Sequence, residues 1–379
     1  MTIIAIVIIV LIIGIFGALI GSFANVVIYR LPAGKNIAYP GSSCPNCGHK
    51  IKPWENIPVI SWLFLGAKCS SCKTPISFRY PLIEILMAVG FMLLALRWPV
   101  EIYGFTVLPL LIIYAMLLIM SLIDLDHLYL PDSLTLPAIF IAIGAAAYYQ
   151  PLAGLPSLAE AAVGSAVAAG IIALINRLGS LIVRRMADTK ERLWPIGMDQ
   201  VNIAFVFGAL GGWVWGLGFA LLSVIVNLIA RKPIRLEEKY MYLLWFVAIA
   251  LSATKLIVSP VESLAGTFIA AGIVAIVGSF YWWFHEIFTG VAEDEDFDEP
   301  VAMGFGDVKL AAILGAILGW QSMLVALFLA FIIGAVVGVV VKIMGGSRII
   351  PFGPPLVLGA LIALFYGQQI ISWYLGMLT

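Results

Sequence analysis

The sequence predicts an all-α polytopic membrane protein with about twelve transmembrane helices and a small cytoplasmic zinc-knuckle loop. Apolar residues make up 63% of the 379 positions and charged residues only 11%. Most apolar residues form runs of the length that crosses a bilayer, and most charges lie between the runs. The four cysteines occupy one of the polar segments. These observations exclude a soluble fold, and the net charge of zero gives no basic surface for nucleic acid.

The helices are predicted from the apolar runs in order. Residues 1–32 contain the first, and the absence of a positive n-region and of a small-residue cleavage site favours a membrane span over a signal peptide. Basic residues cluster in the following segment, 33–80, so the positive-inside rule places it in the cytoplasm and the N-terminus outside. Further runs lie near residues 82–96, 104–123, 134–149, 158–183, 200–213, 215–230, 241–258, 264–284, 308–320, 322–343 and 356–376.

Two aspartates stand where apolar runs meet the cytoplasmic boundary. Asp124 follows the run 104–123, and Asp307 opens the short run 308–320. A carboxylate at such a depth is costly unless it is paired, neutralised or used. If the two meet, they can share one proton and serve as general base and general acid in peptide hydrolysis. The alternative is that each is a helix-cap aspartate that faces water.

Three residues beside Asp307 are supporting candidates. Gly304 and Gly306 would let the backbone and a substrate approach the carboxylate closely. Lys309 could lower the pKa of Asp307, or it could be an ordinary snorkelling lysine at the membrane boundary. The glycine-aspartate pattern alone is a weak signal.

Two further acids, both in the segment 81–150 that contains Asp124, are also candidates. Asp126 could tune Asp124 or contact substrate, or it could simply be solvated. Glu84 is a lone acid in an apolar run, which indicates either a functional site or a helix-start glutamate at the positive dipole end. The acidic stretch 293–299 is most simply a solvated linker, although it could attract a basic peptide.

Cys44, Cys47, Cys69 and Cys72 form two Cys-x-x-Cys pairs. Four thiolates at this spacing can bind one tetrahedral zinc ion. Because the segment is predicted to be cytoplasmic, where thiols stay reduced, a metal site is favoured over disulfides. Four cysteine ligands leave no open position for water, so the zinc is expected to be structural.

Two similar stretches predict an internal repeat. Residues 208–213 read Gly-Ala-Leu-Gly-Gly-Trp, and residues 315–320 read Gly-Ala-Ile-Leu-Gly-Trp. The same alignment places Gln200 opposite Asp307; an alignment shifted by one position would place Asp199 there, but the match of the Gly-Trp residues favours Gln200. Small residues also recur in membrane helices because they allow close packing, which is the alternative explanation.

The repeat sets the predicted domain organisation. Residues 157–159 resemble residues 263–265 at nearly the same offset. We therefore interpret residues 156–258 as a degenerate copy of a four-helix catalytic block at 262–379. The run that ends at Asp124 belongs to a separate helical segment, 81–150.

At these motifs the chain resembles the type IV prepilin peptidases, a family of membrane aspartic proteases. Residues 304–309, Gly-Phe-Gly-Asp-Val-Lys, match the second motif of the family, and Asp124 with Pro131 matches the first. Similar segments also occur at residues 21–32, 55–62, 79–84 and 350–354 and at the two cysteine pairs.

The resemblance implies a function. Asp124 and Asp307 would form the dyad of an endopeptidase that removes the leader of prepilins and pseudopilins at the cytoplasmic face of the bacterial inner membrane. Many members also methylate the new N-terminus with S-adenosylmethionine, so methylation is expected here, with no residue assigned to the donor. The inserted block 156–258 departs from the family, and we expect the copy with Asp307 to occupy the catalytic place.

The rival interpretation is a proton- or ion-coupled transporter built from parallel four-helix repeats. Carriers place their sites near the midplane of the bilayer. The interfacial depth of both aspartates and the cysteine pairs therefore favour the peptidase.

Overall fold

The computed structural model describes residues 3–148, 154–183, 195–254, 256–290, 304–345 and 350–377. The described chain is helical apart from its connections, two 3-10 turns and two isolated β-bridges in the cysteine segment. The acidic stretch 293–299 lies outside the described residues. The helices are α1 (Ile3–Arg30), α2 (Ile60–Phe64), α3 (Arg79–Arg97), α4 (Val100–Tyr103), α5 (Leu108–His127), α6 (Asp132–Tyr148), α7 (Leu158–Val183), α8 (Met198–Gly211), α9 (Trp213–Ala230), α10 (Glu238–Ala253), α11 (Pro260–Thr289), α12 (Phe305–Ile343) and α13 (Gly353–Gly376).

Each apolar run predicted from the sequence falls largely in a helix, although the run 241–258 extends beyond α10, which ends at Ala253. Eight of the described helices are long and apolar enough to cross a membrane, namely α1, α3, α5, α7, α9, α11, α12 and α13. The helices α6, α8 and α10 are shorter, with 17, 14 and 16 residues. The all-α, multi-pass fold class is confirmed, while the number of about twelve spans stays a prediction.

A glycine breaks α12 into two helices. Gly319 has φ 68° and ψ 166°, a conformation that favours glycine, and Trp320 follows it. Gly212 has nearly the same conformation, φ 81° and ψ 177°, between α8 and α9, and Trp213 follows it. The two halves of α12 therefore repeat the pair α8 and α9, and the break lies where the sequence predicts one run to end and the next to begin.

The described residues pack as two compact units, which join in the sequence at Pro131 and Asp132. In the first unit, α1 packs closely along α3 through glycines spaced three and four residues apart. A Cβ atom at Gly21 would lie 2.7 Å from the Cα of Glu84, and one at Gly14 would lie 2.7 Å from the Met92 side chain. Small residues at a helix interface allow this approach in the membrane.

The second unit contains two sets of equivalent helix contacts. The first half of α12 packs on α7 and α6, and α8 packs on α11 and α10. Gly164 of α7 meets the backbone of Gly315 on α12, and Gly266 of α11 meets the backbone of Gly208 on α8 in the same way. One bundle therefore comprises α6, α7, α12 and α13, and the other comprises α8 to α11.

The capping residues before α7 and α11 show which positions correspond at the starts of these two helices. Ser157 and Glu160 form a capping box before α7, and Ser259 and Glu262 form the same box before α11. The structure thus pairs Ser157 with Ser259, not with Ser263 as the sequence comparison proposed. The domain limits 156–258 and 262–379 stay a prediction. The helices of these two segments exchange packing partners, since α8 of the first segment packs on α11 of the second and α12 of the second packs on α7 of the first.

Candidate active site

Asp124 lies in the last turn of α5, in the first unit. The residue is buried, with 6% of its surface exposed. Leu128 ends the helix in the left-handed conformation, φ 58°, and its N–H donates to the carbonyl oxygen of Asp124 at 2.9 Å. The carboxylate therefore stands at the carbonyl end of an apolar helix, as predicted.

Asp126 pairs with an arginine that sequence reasoning did not single out. The Arg79 guanidinium donates from Nη1 and Nη2 to the two carboxylate oxygens of Asp126, at 2.9 and 2.5 Å. This bidentate contact joins the first turn of α3 to the last turn of α5. Arg79 belongs to the segment 79–84 that resembles the family. That resemblance was the signal from which Arg79 could have been identified as a candidate.

Asp307 lies in the first turn of α12, in the second unit. Gly304 caps the helix with extended backbone, φ −67° and ψ 150°, and accepts a hydrogen bond from the Asp307 N–H at 3.2 Å. Asp307 is buried, with 8% of its surface exposed. A Cβ atom at Gly304 would lie 3.9 Å from Oδ2 of Asp307, so the carboxylate turns back towards the start of the helix. The positive end of the helix dipole faces it there.

Lys309 forms an ion pair with Asp132, the first residue of α6. The lysine side chain is 8% exposed and the aspartate side chain 30% exposed. Its ammonium also lies 5.8 Å from the centre of the Phe305 ring. Lys309 therefore ties the first turn of α12 to the start of α6, which is a contact the sequence did not reveal.

Gln200 occupies the position of Asp307 in the bundle of α8 to α11. It lies in the first turn of α8, it is fully buried, and its Oε1 accepts a hydrogen bond from the Gly197 N–H at 2.7 Å. Gly197 caps α8 as Gly304 caps α12. The repeat thus keeps the geometry of the helix start with a side chain that cannot ionise.

The polar residues around Gln200 bind other parts of the same chain. Leu236, which precedes α10, donates its N–H to Asp199 Oδ1 at 2.7 Å and accepts from Asn202 Nδ2 at 2.7 Å. Glu238 begins α10 as Asp132 begins α6, and it pairs with the buried Arg177 at 2.7 Å. These contacts tie the start of α8 to the segment before α10, while Gln200 Nε2 and Asn202 Oδ1 have no hydrogen-bond partner among the described residues.

Glu84 binds a strained turn of the cysteine segment. Its Oε2 accepts a hydrogen bond from the Val59 N–H at 2.7 Å, and Glu84 is 8% exposed. Val59 has φ 62° and ψ −49°, and the Ile60 N–H donates to the Pro58 carbonyl at 2.6 Å, which closes a γ-turn. This conformation is costly for a β-branched residue, so Glu84 holds a turn that would otherwise relax.

The four cysteines form one cluster. The sulfur atoms of Cys44, Cys47, Cys69 and Cys72 all lie within 4.8 Å of one another, and Cys44 and Cys72 are 3.8 Å apart. A tetrahedral zinc ion with Zn–S bonds of about 2.3 Å separates its sulfur ligands by about 3.8 Å. The donor set and its spacing therefore fit one zinc ion, which would staple this small segment together.

The two halves of the cluster repeat one turn. The N–H of Cys44 donates to the His49 carbonyl at 2.9 Å, and the N–H of Cys69 donates to the Thr74 carbonyl at 2.9 Å. The residue after the second cysteine is left-handed in both, Gly48 with φ 70° and Lys73 with φ 59°. The His49 ring contacts Glu55 Oε2 at 3.1 Å, so its polar edge is engaged outside the cluster.

Hydrogen bonds polarise one of the thiols. The Thr74 hydroxyl, followed by the Thr74 N–H and the Asn46 amide, lowers the pKa of Cys72 to about 5. The Asn46 Nδ2 lies 3.7 Å from the Cys72 sulfur. A thiolate at neutral pH is the form that binds a metal ion.

Comparison with known families covers most of the chain. The model of the bacterial peptidase A24 N-terminal domain matches residues 15–98, which contain the cysteine cluster and Glu84. The model of the type IV leader peptidase family matches two segments, residues 111–230 and 235–339. The first segment contains Asp124 and Gln200 and the second contains Asp307, in agreement with an internal repeat.

Similar curated proteins carry the corresponding names. A prepilin leader peptidase/N-methyltransferase of Pseudomonas aeruginosa is 29% identical over 389 residues, covering 95% of this chain and 91% of its own. A type 4 prepilin-like proteins leader peptide-processing enzyme of Escherichia coli is 35% identical over 230 residues, covering 56% of this chain and 79% of its own. No solved structure matches. Because the family model matches more than half of its residues, the chain belongs to the type IV leader peptidase family.

Proposed function

We propose that this protein is a membrane aspartic endopeptidase that removes the leader peptide of prepilins and pseudopilins, with Asp124 and Asp307 as its catalytic pair. One observation carries the assignment of residues. Each aspartate is buried at the end of an apolar helix, and each lies in one of the two segments that match the leader peptidase family. The transporter alternative finds no support among the similar proteins.

The helix positions support a different proposed role for each acid. Asp307 stands at the positive end of the α12 dipole, which favours negative charge, and Asp124 stands at the negative end of α5, which favours a proton. The mechanism requires that the two carboxyl groups approach each other. Asp307 then takes a proton from the attacking water, while Asp124 donates its proton to the scissile carbonyl oxygen, which gives a tetrahedral diol. When the C–N bond breaks, Asp307 passes the proton it took to the leaving nitrogen, and Asp124 recovers a proton from one of the hydroxyl groups, so both acids return to their starting states.

The packing of α12 supports its catalytic role over that of α8. The first half of α12 packs on α6 and α7, and α6 follows the helix of Asp124 after the short connection Leu128–Pro131. The helix α8, with Gln200, packs instead on α9, α10 and α11. We propose that the bundle of α8 to α11 is not hydrolytic.

The same enzyme is proposed to methylate the amino group that cleavage exposes. The name of the Pseudomonas aeruginosa relative includes N-methyltransferase activity, and this chain has the cysteine segment and matches that relative over most of its length. S-adenosylmethionine would supply the methyl group. We place the cysteine cluster and both aspartates at the cytoplasmic face of the bacterial inner membrane, because Lys and Arg cluster in the segment 33–80.

The test is cleavage of a model prepilin by the purified protein in detergent with S-adenosylmethionine present. We expect Asp124→Asn and Asp307→Asn each to lower the cleavage rate by at least about 100-fold, because each removes a proton-transfer group. Glu237→Gln is the control, since this acid is 58% exposed and pairs only with the exposed Lys239 in the described contacts. The mass of the product reports cutting and methylation separately. Cleavage that survives either aspartate substitution would refute the assignment.

A further inference from the structure

The stretch of residues 53–65 exposes large apolar side chains outside the membrane-spanning helices. It comprises the 3-10 turn Pro53–Asn56, the γ-turn at Val59 and the short helix α2, between the two cysteine pairs. The exposed fractions are 65% for Trp54, 63% for Leu63 and 88% for Phe64. A group of this size in water is unfavourable and marks an interaction surface.

The internal contacts of this stretch direct those side chains away from the protein. Ser61 is buried, and its hydroxyl donates to the Trp54 carbonyl at 2.9 Å and accepts from the Ile57 N–H at 2.8 Å. The Trp62 indole donates to the Ile76 carbonyl at 3.0 Å and packs edge-on against Phe78. The inner side of α2 is thus engaged, and Ile60, Leu63 and Phe64 remain on its outer side.

The stretch is also fastened to a membrane-spanning helix. Val59 is bound by Glu84, which lies five residues after the start of α3, about 7.5 Å along the helix axis at 1.5 Å per residue. Close to Glu84 in the sequence of α3, Leu82 is 39% exposed and Ile85 is 38% exposed, and α3 is long and apolar enough to cross a membrane. Val59 therefore lies beside the first turns of a helix of spanning length, close to the end at which the polar segment joins it.

Basic side chains accompany the apolar group. The Lys52 ammonium lies 5.5 Å from the centre of the Trp54 ring, and Lys68 is also exposed. The acid in this stretch, Glu55, is occupied by the Lys52 N–H at 3.0 Å and by His49. Tryptophan with lysine is the combination found where proteins meet lipid headgroups.

We propose that residues 53–65 form an interfacial anchor that lies in the phospholipid headgroup layer, with Ile60, Leu63 and Phe64 against the acyl chains. The anchor is fastened through Val59 to the first turns of α3, a helix long and apolar enough to span the membrane, which is why phospholipid is its partner. The inference does not depend on the peptidase activity. It places the cysteine segment on the membrane surface, whereas the sequence analysis treated this segment as a polar cytoplasmic loop.

The anchor is tested with a photoreactive side chain. The full-length protein carries p-benzoylphenylalanine at Phe64 or, as the control, at Tyr39, which is an aromatic residue of the same polar segment with 78% exposure. Both proteins are reconstituted into vesicles of phosphatidylethanolamine and phosphatidylglycerol and irradiated, and adducts are identified by mass spectrometry. We expect at least about fivefold more phospholipid adduct at position 64 than at position 39.

Three results would overturn the proposal. They are equal lipid yields at the two positions, a dominant adduct to a second copy of the chain, and a dominant adduct to an added leader peptide. The metal content of each protein, measured beside the adducts, verifies that the cysteine segment is folded. If the Phe64 substitution lowers the metal content, the same comparison is made at Leu63, which is 63% exposed.

Discussion

Lys309 connects the helix that carries Asp307 to the start of α6. Its buried ammonium pairs with the partly exposed carboxylate of Asp132. A buried charge is costly without its partner, so the pair restricts how the first turn of α12 can move relative to α6. The proton transfer proposed for Asp307 depends on this kind of restriction, because small displacements of a catalytic group lower the rate strongly.

Removing the lysine should therefore cost stability. We expect Lys309→Met to lower the free energy of unfolding by about 2 kcal/mol, because Asp132 loses its partner, and Lys309→Met with Asp132→Asn to recover part of that loss. Thermal unfolding in detergent measures both. The exposed pair of Lys239 and Glu237, 58% exposed on each side, is the control, and Lys239→Met should change the stability by less than about 1 kcal/mol. Additive losses in the double variant would contradict the coupling.

The two cysteine turns differ at one left-handed position, and this difference gives opposite predictions. Lys73 has φ 59°, which is unfavourable for a residue with a Cβ atom, so Lys73→Gly should stabilise the segment by about 0.5 kcal/mol. Gly48 has φ 70°, and Gly48→Ala should destabilise it by about 1 kcal/mol. Competition with a zinc chelator measures both variants. Equal effects of the two substitutions would refute the argument.

Residue types and their surroundings could be predicted from the sequence more easily than their partners. The burial of Asp124 and Asp307 follows from their positions at the ends of apolar runs, and the cysteine cluster follows from the spacing of its pairs. Lys309 could be considered as a partner of Asp307 because the two are close in the sequence. Its ion pair with Asp132 could not be predicted, because these residues are far apart in the sequence. The strain at Val59 was not predictable either, because it depends on the hydrogen bond to Glu84.

At the scale of helices, hydropathy predicted the elements and not their arrangement. Every predicted run falls largely in a helix, and the glycine before Trp320 breaks α12 where two runs were separated. The exchange of partners between α7 and α11 could not be predicted, because both helices present similar small residues to similar helices. Gly164 and Gly266 are interchangeable by residue type, and the surrounding packing decides which glycine meets which helix.

The repeat predicts that a restored acid will not restore activity. In an Asp307→Asn protein, adding Gln200→Asp should leave cleavage at the background level. In the repeat α10 corresponds to α6, and the residue that corresponds to Asp124 is Ala230, since each precedes its helix by the same number of residues. The restored acid at position 200 would therefore have no second acid as its partner. The prepilin cleavage assay measures this. Gln200→Asn in the otherwise unchanged protein is the control and should still cleave. Cleavage by the double variant would show that the bundle of α8 to α11 can act as a catalytic site.

The described residues form two units with separate internal packing, and the cysteine cluster belongs to the first. We expect a chelator to raise amide exchange in residues 43–76 by at least about 100-fold, because metal binding supplies the folding free energy of such a small segment. The amides of α7 and α11 should remain protected, since their contacts lie in the second unit. Hydrogen exchange with mass spectrometry measures both regions.

A protein with Cys44→Ser and Cys47→Ser provides the control for this experiment. It should show the same exchange in residues 43–76 without chelator. If the cysteine segment stays protected after the metal is removed, the cluster is not the staple of the segment. If α7 and α11 lose protection as well, the two units are not independent in stability.

The Trp282 indole, near the end of α11, donates to the carbonyl of Ile196, just before α8, at 2.9 Å. This hydrogen bond joins the entry and the exit of the bundle formed by α8 to α11. During synthesis α7 is complete long before α12, its main packing partner, and the chain between them must be made first. Because the intervening bundle returns to the place where it began, the loop that α7 and α12 must close is effectively short, and its entropic cost is low. A whole bundle can therefore stand between two helices that must meet without preventing their assembly.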